Sequence, residues 1–240
     1  MLHPQLNAIA ISDLQIPFEH IDAFDFICHI EKTYFPNVKP VMVNMGDEFD
    51  QHTLGRWTAN PNGLSAKSEM DEAKLRVKQW YQRYPKMFIC ISNHTYRVYK
   101  RAHEQGIPDS FMRSIGEAYE IPSGPGLWQW RDKWIADGIC FEHGEMVSGQ
   151  LAAIRAAIQN RMSTCIGHQH ANGGVLWSGS ASDVIFGMNT GCLIDVDQYA
   201  FDYGKTLRNK PTLGTGVIVN GVPHFVPMLT DHNNRWLRRI

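Results

Sequence analysis

The sequence predicts a layered α/β fold in which β-sheets carry helices on their faces. Short apolar runs of strand length alternate with segments whose apolar residues recur at helical spacing. Several of the apolar runs end in an aspartate or a histidine, and the last quarter of the chain is mostly β in pattern. Ligands of open α/β sheets gather where loops leave the carboxyl ends of strands, so a polar site is expected there.

The predicted buried strands share one feature, which is that each runs into a side chain able to bind a metal ion. Their short, continuously apolar composition is typical of strands that are covered on both faces. The runs are AIAISD ending at Asp13, VMVNMGD ending at Asp47, FICISNH ending at His94, GICFEH ending at His143, and TCIGHQH ending at His170.

Segments between these strands are predicted to be helices from the spacing of their apolar residues. Ser148 is the predicted N-cap of the last helix. The predicted buried faces are Ile21, Phe24, Ile27 and Cys28 in the first helix, Met70, Ala73, Val77 and Trp80 in the second, and Leu151, Ile154 and Ile158 in the third.

After Asp183 the pattern changes to strand-like alternation. Asn220 and Gly221 stand between two alternating runs, and this pair favours the tight turn of a β-hairpin. The C-terminal quarter is therefore expected to be mostly β.

Residues 106–137 are less regular, because they contain prolines, glycines and the tryptophan-rich run GLWQWRDKW. This stretch is predicted to be a long insertion over the edge that carries the polar site, where it would face substrate. The chain shows no internal repeat, and residues 1–240 are expected to form a single domain.

The formal net charge of −1 gives the chain no overall attraction to nucleic acid or to an anionic membrane, so a polyanion would have to be met by a local patch or a bound cation. The five cysteines are scattered and form no CxxC pair, which favours reduced thiols in the cytosol. The start of the chain does not resemble a signal peptide, and no apolar run reaches the roughly 18 residues that cross a membrane. These features predict a soluble, cytoplasmic protein.

The polar residues at the strand ends form a series of short motifs. Taken singly, each has an ordinary structural explanation, such as a helix cap, a turn or a satisfied histidine. The motifs are Asp13 with Gln15, GDEFD at residues 46–50, Asn93 with His94, His143 before Gly144, and GHQH with His168 and His170.

In this order, the motifs resemble the signature of the calcineurin-like metallophosphoesterases, D-x-H, GDxxD, GNH(D/E), H and GHxH. The resemblance covers residues 9–195, and the chain looks most like small stand-alone members of the family from bacteriophage genomes, which would act in the host cytoplasm. It implies a sandwich of two mixed β-sheets flanked by helices, with a dinuclear metal site at the strand ends.

The resemblance also implies a set of metal ligands, with Asp47 bridging two divalent cations. Two nearby cations repel each other, so such a site needs carboxylates together with imidazoles and neutral oxygens. Alternation along residues 168–170, taken as extended, would put both imidazoles on one face. The implied ligands are Asp13, Gln15, Asp47 and His170 for one metal, and Asp47, Asn93, His143 and His168 for the other.

His94 would face the substrate rather than a metal, according to the same resemblance. It would stabilise phosphoryl charge or protonate the leaving oxygen, and Asp50 would orient its imidazole. Catalysis of this kind typically contributes about 10²–10⁴-fold to the rate.

The chain departs from the family pattern at three positions. Gln15 stands where the family usually has a histidine, which favours Mn²⁺, or Mg²⁺, over Zn²⁺ at that site. Zn²⁺, Ni²⁺ and iron are the alternative metals, and a purely structural Gln15 is the alternative role. Ser92 replaces the usual glycine, and Thr95 replaces an acidic residue that supports the site in relatives.

Peripheral residues are expected to select the substrate. Arg97 and Lys100 could hold phosphate, with Arg101 beside them, and Trp128 and Trp130 could stack on bases. The alternatives are a solvated helix face for the cations and loop packing or a dimer contact for the tryptophans. The basic end of the chain, with Arg235, Arg238 and Arg239, could bind phosphate, contact a partner or aid solubility.

The function predicted from the resemblance is metal-dependent hydrolysis of a phosphodiester, in a nucleotide or a nucleic acid, by a metal-activated water. One alternative is a phosphomonoesterase that acts on a phosphoprotein or a small metabolite. A second alternative is a catalytically inactive binding scaffold with the same fold.

Overall fold

The structure, a computed structural model, describes residues 5–55, 60–198 and 209–239. It is an α/β fold with two mixed β-sheets and helices that flank them. The predicted fold class is confirmed at this level.

The first sheet has six strands in the order β11-β10-β1-β2-β3-β4. The strands β1 to β4 run parallel to one another, while β10 lies antiparallel to β1, and β11 antiparallel to β10. Their bounds are β1 Ala8–Ile11, β2 Val41–Asn44, β3 Met87–Cys90, β4 Trp128–Arg131, β10 Gly214–Val219 and β11 Val222–Pro227.

The second sheet has five strands in the order β5-β6-β7-β9-β8. Its three inner strands are parallel, and both edge strands are antiparallel to their neighbours. Their bounds are β5 Lys133–Ala136, β6 Ile139–Glu142, β7 Ser163–Ile166, β8 Gly173–Gly179 and β9 Val184–Thr190.

The described helices are α1 Ala23–Tyr34, α2 Ala66–Arg83, α3 Arg97–Glu104, α4 Ile115–Ala118 and α5 Ala152–Asn160, with short 3-10 turns at His52–Leu54 and Asp109–Phe111. None of the helices in the described part of the chain is long and apolar enough to cross a membrane.

Strand β1 shows why the two sheets form a sandwich. Ile9 and Ile11 pack into the core that contains α1 and α2, whereas Ala8 and Ala10 pack into a second core with residues of the other sheet, such as Phe141. Because side chains alternate between the two faces of a strand, this one run of apolar residues serves both cores.

The second helix matches its prediction. Ala73, Val77 and Trp80 of α2 are buried, and Met70 packs against the same core. In the first helix, Ile27 is buried, but Ile21 precedes the helix and is 72% exposed. The prediction was therefore wrong to include Ile21 in the buried face, because this residue lies in the turn before the first helical residue.

The predicted buried face of α5 is wrong. Leu151 and Ile158 are about half exposed, and the buried face consists of alanines instead. Strand β9 passes so close that a Cβ added to Gly187 would lie 2.2 Å from the carbonyl carbon of Ala153. Only small residues fit at this distance. The predicted cap at Ser148 is also wrong, since α5 begins after Leu151 without a side-chain cap.

The predicted hairpin is confirmed. Strands β10 and β11 pair through a turn at Asn220 and Gly221, both of which have positive φ, as the type I′ turn requires.

Residues 106–137 were predicted to be one long insertion, but part of this stretch belongs to the two β-sheets. Trp128–Arg131 forms the edge strand β4, and Lys133–Ala136 forms β5 of the other sheet. Only the part before β4 is irregular, with the short helix α4 and its neighbouring turns.

Candidate metal centre

The residues predicted to bind metal lie in loops at the carboxyl ends of strands from both sheets. Asp13, Asp47 and Asn93 follow the neighbouring parallel strands β1, β2 and β3. His143 follows β6, and residues 168–170 follow β7. Parallel strands end at the same edge, so each sheet contributes its polar loops to one place.

One group of ligand-type atoms belongs to Asp47, His143 and His168, all within 4.8 Å of one another. The Nδ1 atom of His168 is 3.0 Å from the Nε2 atom of His143, and the same Nε2 is 2.8 Å from Oδ1 of Asn93. A carboxylate oxygen of Asp47 lies 3.5 Å from His143 Nε2. These four side chains are those predicted to hold one metal.

A second group consists of Asp13, Asp47 and His170, again within 4.8 Å of one another. The Nε2 atom of His170 is 2.9 Å from Oδ1 of Asp13 and 3.4 Å from the Nε2 atom of Gln15. Asp47 is common to both groups, which is the arrangement a bridging carboxylate requires.

The hydrogen bonds of His143 show that its side chain is oriented as a ligand. Its Nδ1 atom lies 2.8 Å from the main-chain oxygen of Met45, which can only accept, so Nδ1 carries the proton of the neutral ring. Nε2 then presents a lone pair toward the oxygen of Asn93. Lone pairs that face each other repel, and a cation placed between them could be coordinated by both.

Further support comes from Gln15. Its amide oxygen is buried and has no hydrogen-bond partner among the described residues. Buried polar atoms are nearly always paired, so an unpaired oxygen beside Asp13 and His170 fits a cation. The donor set of carboxylates, imidazoles and amide oxygens therefore fits divalent metal ions.

The backbone at these positions is unusual. Asp13, Gln15, Asp47 and His168 all have φ between 50° and 64°, in the left-handed region that non-glycine residues rarely adopt. Such conformations cost about 1–3 kcal/mol each and cluster at functional sites. The predicted extended course of residues 168–170 is thus wrong at His168, although both imidazoles do reach the site.

The protonation of Asp47 reflects its neighbours. Burial alone would raise the pKa of this carboxyl, but the imidazoles of His143 and His94 outweigh burial and hold the pKa well below its usual value. In contrast, burial and the nearby His143 lower the pKa of His168. Both shifts favour the forms that bind cations, a carboxylate and a neutral imidazole.

His94 lies beside the metal ligands and contacts two other groups. Its Nδ1 atom is 3.0 Å from Oδ1 of Asp50, and its Nε2 atom is 2.7 Å from the guanidinium of Arg97. Arg97 also donates to the main-chain oxygen of Asp50. Since a guanidinium only donates, His94 accepts through Nε2 here and carries its proton on Nδ1. Burial opposes protonation, but Asp47 and Asp50 raise the pKa of His94.

The ligand groups open into a cleft of about 870 Å³. Arg97 and Lys100 of α3 line it, as predicted for substrate-binding residues. Arg101, which was expected beside them, lines the cleft as well. Tyr96 and Glu145 also line it, and they were not predicted because no motif marks them.

The predicted role of the tryptophans in stacking on bases does not fit their positions. Trp128 is only 1% exposed, and its indole donates to the main-chain oxygen of Tyr84. The indole of Trp130 donates to Glu48 Oε1 at 2.8 Å. Because β4 is an edge strand of the first sheet, these side chains pack into that layer, and neither lines the cleft.

Ser92 and Thr95 support the site in a way that sequence analysis did not find. The hydroxyl of Ser92 accepts from the main-chain nitrogen of Asp47 at 3.0 Å and lies 3.0 Å from the Thr95 hydroxyl. These two replacements therefore help to hold the left-handed turn at Asp47. A hydroxyl pair three residues apart is too common a pattern to have indicated this.

The basic C-terminal end is tied to the fold at Arg235. Its guanidinium donates twice to the carboxylate of Asp22, and the main-chain nitrogen of Trp236 donates to the same group. The structure thus shows an intramolecular contact for Arg235, which differs from all three alternatives given for this end.

In comparisons with known proteins, no protein-family model and no curated sequence matches the chain.

Proposed function

We propose that the chain is a dinuclear metallophosphoesterase that hydrolyses a phosphodiester of a nucleotide or nucleic acid. One observation carries the proposal. Ligand-type side chains from four loops of two sheets meet in two groups that share Asp47, and Asn93 from a fifth loop lies beside one of these groups. The motif order that resembles the calcineurin-like family supports the same function.

Asp13, Gln15, Asp47 and His170 would hold one divalent cation, and Asp47, Asn93, His143 and His168 the other. When bound, such a pair lowers the pKa of a water and neutralises phosphate charge. We propose Mn²⁺, because amide and carboxylate oxygens contribute alongside the imidazoles. The proposed place of action is the cytoplasm, in agreement with five free cysteines.

His94 would act on the phosphoryl group or on the leaving oxygen. Oδ1 of Asp50 lies 3.0 Å from Nδ1, and Nε2 on the other side of the ring faces Arg97 and Asp47. Arg97 would leave His94 to contact a phosphate oxygen, and its planar guanidinium is suited to that ligand. His94 and Asp50 are both buried, so little water reaches the contact between them.

The cleft favours a diester over a simple phosphate. It extends from the metal ligands to Lys100, and the half-exposed ring of Tyr96 lines it as well. A diester carries a second substituent beyond the reacting phosphorus, and these groups offer it a cation and an aromatic face.

The test is a parallel assay of protein stripped of metal and reloaded with Mn²⁺. Bis-p-nitrophenyl phosphate, p-nitrophenyl phosphate, single-stranded DNA and a cyclic nucleotide serve as substrates, with Asp47→Asn as the inactive variant and Asp109→Asn, an exposed position, as its matched control. We expect the diesters to be cleaved by wild type and Asp109→Asn, and Asp47→Asn to lose both activity and bound manganese.

Release of phosphate from the monoester alone would identify a phosphomonoesterase instead. Equal behaviour of wild type and Asp47→Asn on all four substrates would leave only the inactive scaffold.

A further inference from the structure

Beside the metal cleft lies a separate cavity of about 220 Å³, here called the side cavity. Its walls are mostly apolar and come from α2, α3 and the segment around α4. Leu54 lines both the side cavity and the cleft, while the adjacent residues Arg97 and Val98 line the cleft and the side cavity respectively. The two spaces are therefore adjacent to each other.

Glu69 makes one end of the side cavity polar. This side chain is 4% exposed, and its Oε1 accepts from the main-chain nitrogen of His52 at 2.9 Å. Its Oε2 has no partner of hydrogen-bond geometry in the described residues, and neither has the hydroxyl of Thr53, which lines the same cavity. Leaving a buried polar group unpaired is costly, so two unpaired atoms at one cavity indicate a ligand that supplies donors.

Apart from Gln51 and Arg113, the remaining walls are apolar and suit a single ring system. Tyr119 lines the cavity and is held in place by stacking on Phe49, with ring centroids 3.7 Å apart. Met70 and Met112 add flexible side chains that adapt to a flat ligand. A cavity of about 150 Å³ already binds benzene, so this volume is sufficient for one heterocycle.

We propose that the side cavity binds a nucleobase, with N–H groups of the base directed at Glu69 Oε2 and the Thr53 hydroxyl. The base could belong to the phosphodiester substrate, in which case the inference deepens the proposed function, or to a free nucleoside. An apolar ring with a polar N–H edge is the chemistry that both sources share, and it matches apolar walls with two acceptors at one end.

The experiment measures binding without metal or turnover, which separates this inference from the proposed function. Protein in EDTA is titrated by calorimetry with adenosine, guanosine, cytidine, uridine, the corresponding 5′-monophosphates, and inorganic phosphate. Met70→Trp fills the cavity, and Leu75→Trp places the same residue on the exposed side of the same helix, where Leu75 is 62% exposed.

We expect at least one nucleoside to bind wild type and Leu75→Trp equally, and Met70→Trp to bind it at least tenfold more weakly. Ala118→Phe, from α4, is a second filling variant in case Met70→Trp does not fold. Burial raises the pKa of Glu69 to about 7, so the titrations are run at pH 8.5, where this carboxylate only accepts. Glu69→Gln should then change the order of preference among the bases, because an amide nitrogen donates.

Tighter binding of the nucleotide than of its nucleoside and of phosphate would identify the substrate's base. Equal binding of nucleotide and nucleoside would identify a free nucleoside. No binding of any nucleoside to folded wild type, or binding that both filling variants leave unchanged, would overturn the inference even if diesters are hydrolysed. Failure of the hydrolysis assay with nucleoside binding intact would overturn only the proposed function.

Discussion

The imidazole of His94 is contacted on both sides by side chains that are not among the candidate metal ligands. Asp50 lies at Nδ1, and Arg97 at Nε2. This differs from His143, whose Nε2 faces Asn93 and His168. Two buried histidines a few ångströms from Asp47 thus have different chemical environments, one suited to substrate and the other to a cation.

We therefore predict that His94→Ala lowers kcat by about 10²–10⁴-fold while the bound manganese stays unchanged. Steady-state rates and metal analysis of the desalted protein check both parts. His103→Ala is the matched control, since His103 is an exposed histidine of α3 that pairs with Asp109. Loss of manganese together with activity would show that His94 is a ligand.

Gly46 shows how closely the loops approach one another. Its φ is +99°, and an added Cβ would lie 2.6 Å from Cβ of Ser92 and 2.8 Å from the main-chain oxygen of Cys90. Both neighbours belong to the segment that leads to Asn93, so the close approach of these two loops depends on the missing side chain.

We predict that Gly46→Ala lowers the free energy of unfolding by about 2–5 kcal/mol, through backbone strain and overpacking together. Gly126→Ala is the control, because Gly126 also has positive φ but no atom of the described residues lies within 4 Å of the added Cβ. It should lose only about 1–2 kcal/mol. Urea unfolding measures both, and equal losses would show that the close approach contributes nothing.

Among the elements, α5 shows where helical periodicity misleads. Leucine and isoleucine at helical spacing predict a buried face, yet the face that meets β9 is made of alanines. Periodicity identifies faces of a helix, but the distance to the neighbouring sheet decides which face can be buried. In α2, where the core has room for Trp80, the same rule succeeds.

The segment after β11 is held to the start of α1 by one carboxylate. Asp22 accepts two hydrogen bonds from Arg235 and one from the main-chain nitrogen of Trp236, whose ring packs edge-on against Phe26. The hydrogen bonds from Arg235 lower the pKa of Asp22 to about 2. Because this pKa is lowered, the contact stabilises the fold above about pH 4 and loses its effect as the pH falls toward 2.

We predict that Asp22→Asn lowers the free energy of unfolding at pH 7 by about 1–3 kcal/mol, as expected for hydrogen bonds to a charged group. Asp25→Asn is the control, since Asp25 is exposed and 3.8 Å from Arg238. The difference between Asp22→Asn and wild type should shrink when unfolding is repeated near pH 3. An equal difference at both pH values would contradict the role of the charge.

Across the whole molecule, burial leaves several carboxyl groups in an unfavourable environment. Burial raises the pKa of Glu19, Glu48 and Glu69 to about 7 each, although Arg76, Trp130 and the main chain near His52 respectively oppose the shift. In each case the folded protein retains a proton that the unfolded chain releases near pH 4.5. Because each folded-state pKa is raised, the fold is more stable while these groups are protonated. This contribution to the free energy of unfolding is lost as the pH rises through 7.

Glu19 is the suitable group for a test, because it lies outside the candidate metal centre and is 6% exposed. We predict that Glu19→Gln gains about 2 kcal/mol relative to wild type between pH 5.5 and pH 8, since the amide does not ionise. Urea unfolding in EDTA at the two pH values gives this difference. A difference that does not change with pH would show that Glu19 is not protonated in the folded state.

The fold class, the face of α2 and the hairpin at residues 220–221 could be predicted because each depends on spacing or turn chemistry within a few residues. The candidate ligands could be named because the motifs at successive strand ends resemble, in order, those of a known metallophosphoesterase family. The conformation of His168, the burial of Trp128 and the pairing of Arg235 with Asp22 could not, because each depends on segments far apart in sequence.

By itself, the sequence determined which residues stand at the ends of strands and which chemistry they can perform, since those properties are local. Only the tertiary structure decided that loops from two sheets meet around Asp47, and that a second cavity lies beside them with a Glu69 oxygen that has no partner among the described residues. The physical reason is that distances between remote residues are set by how sheets and helices pack, and packing depends on all contacts at once.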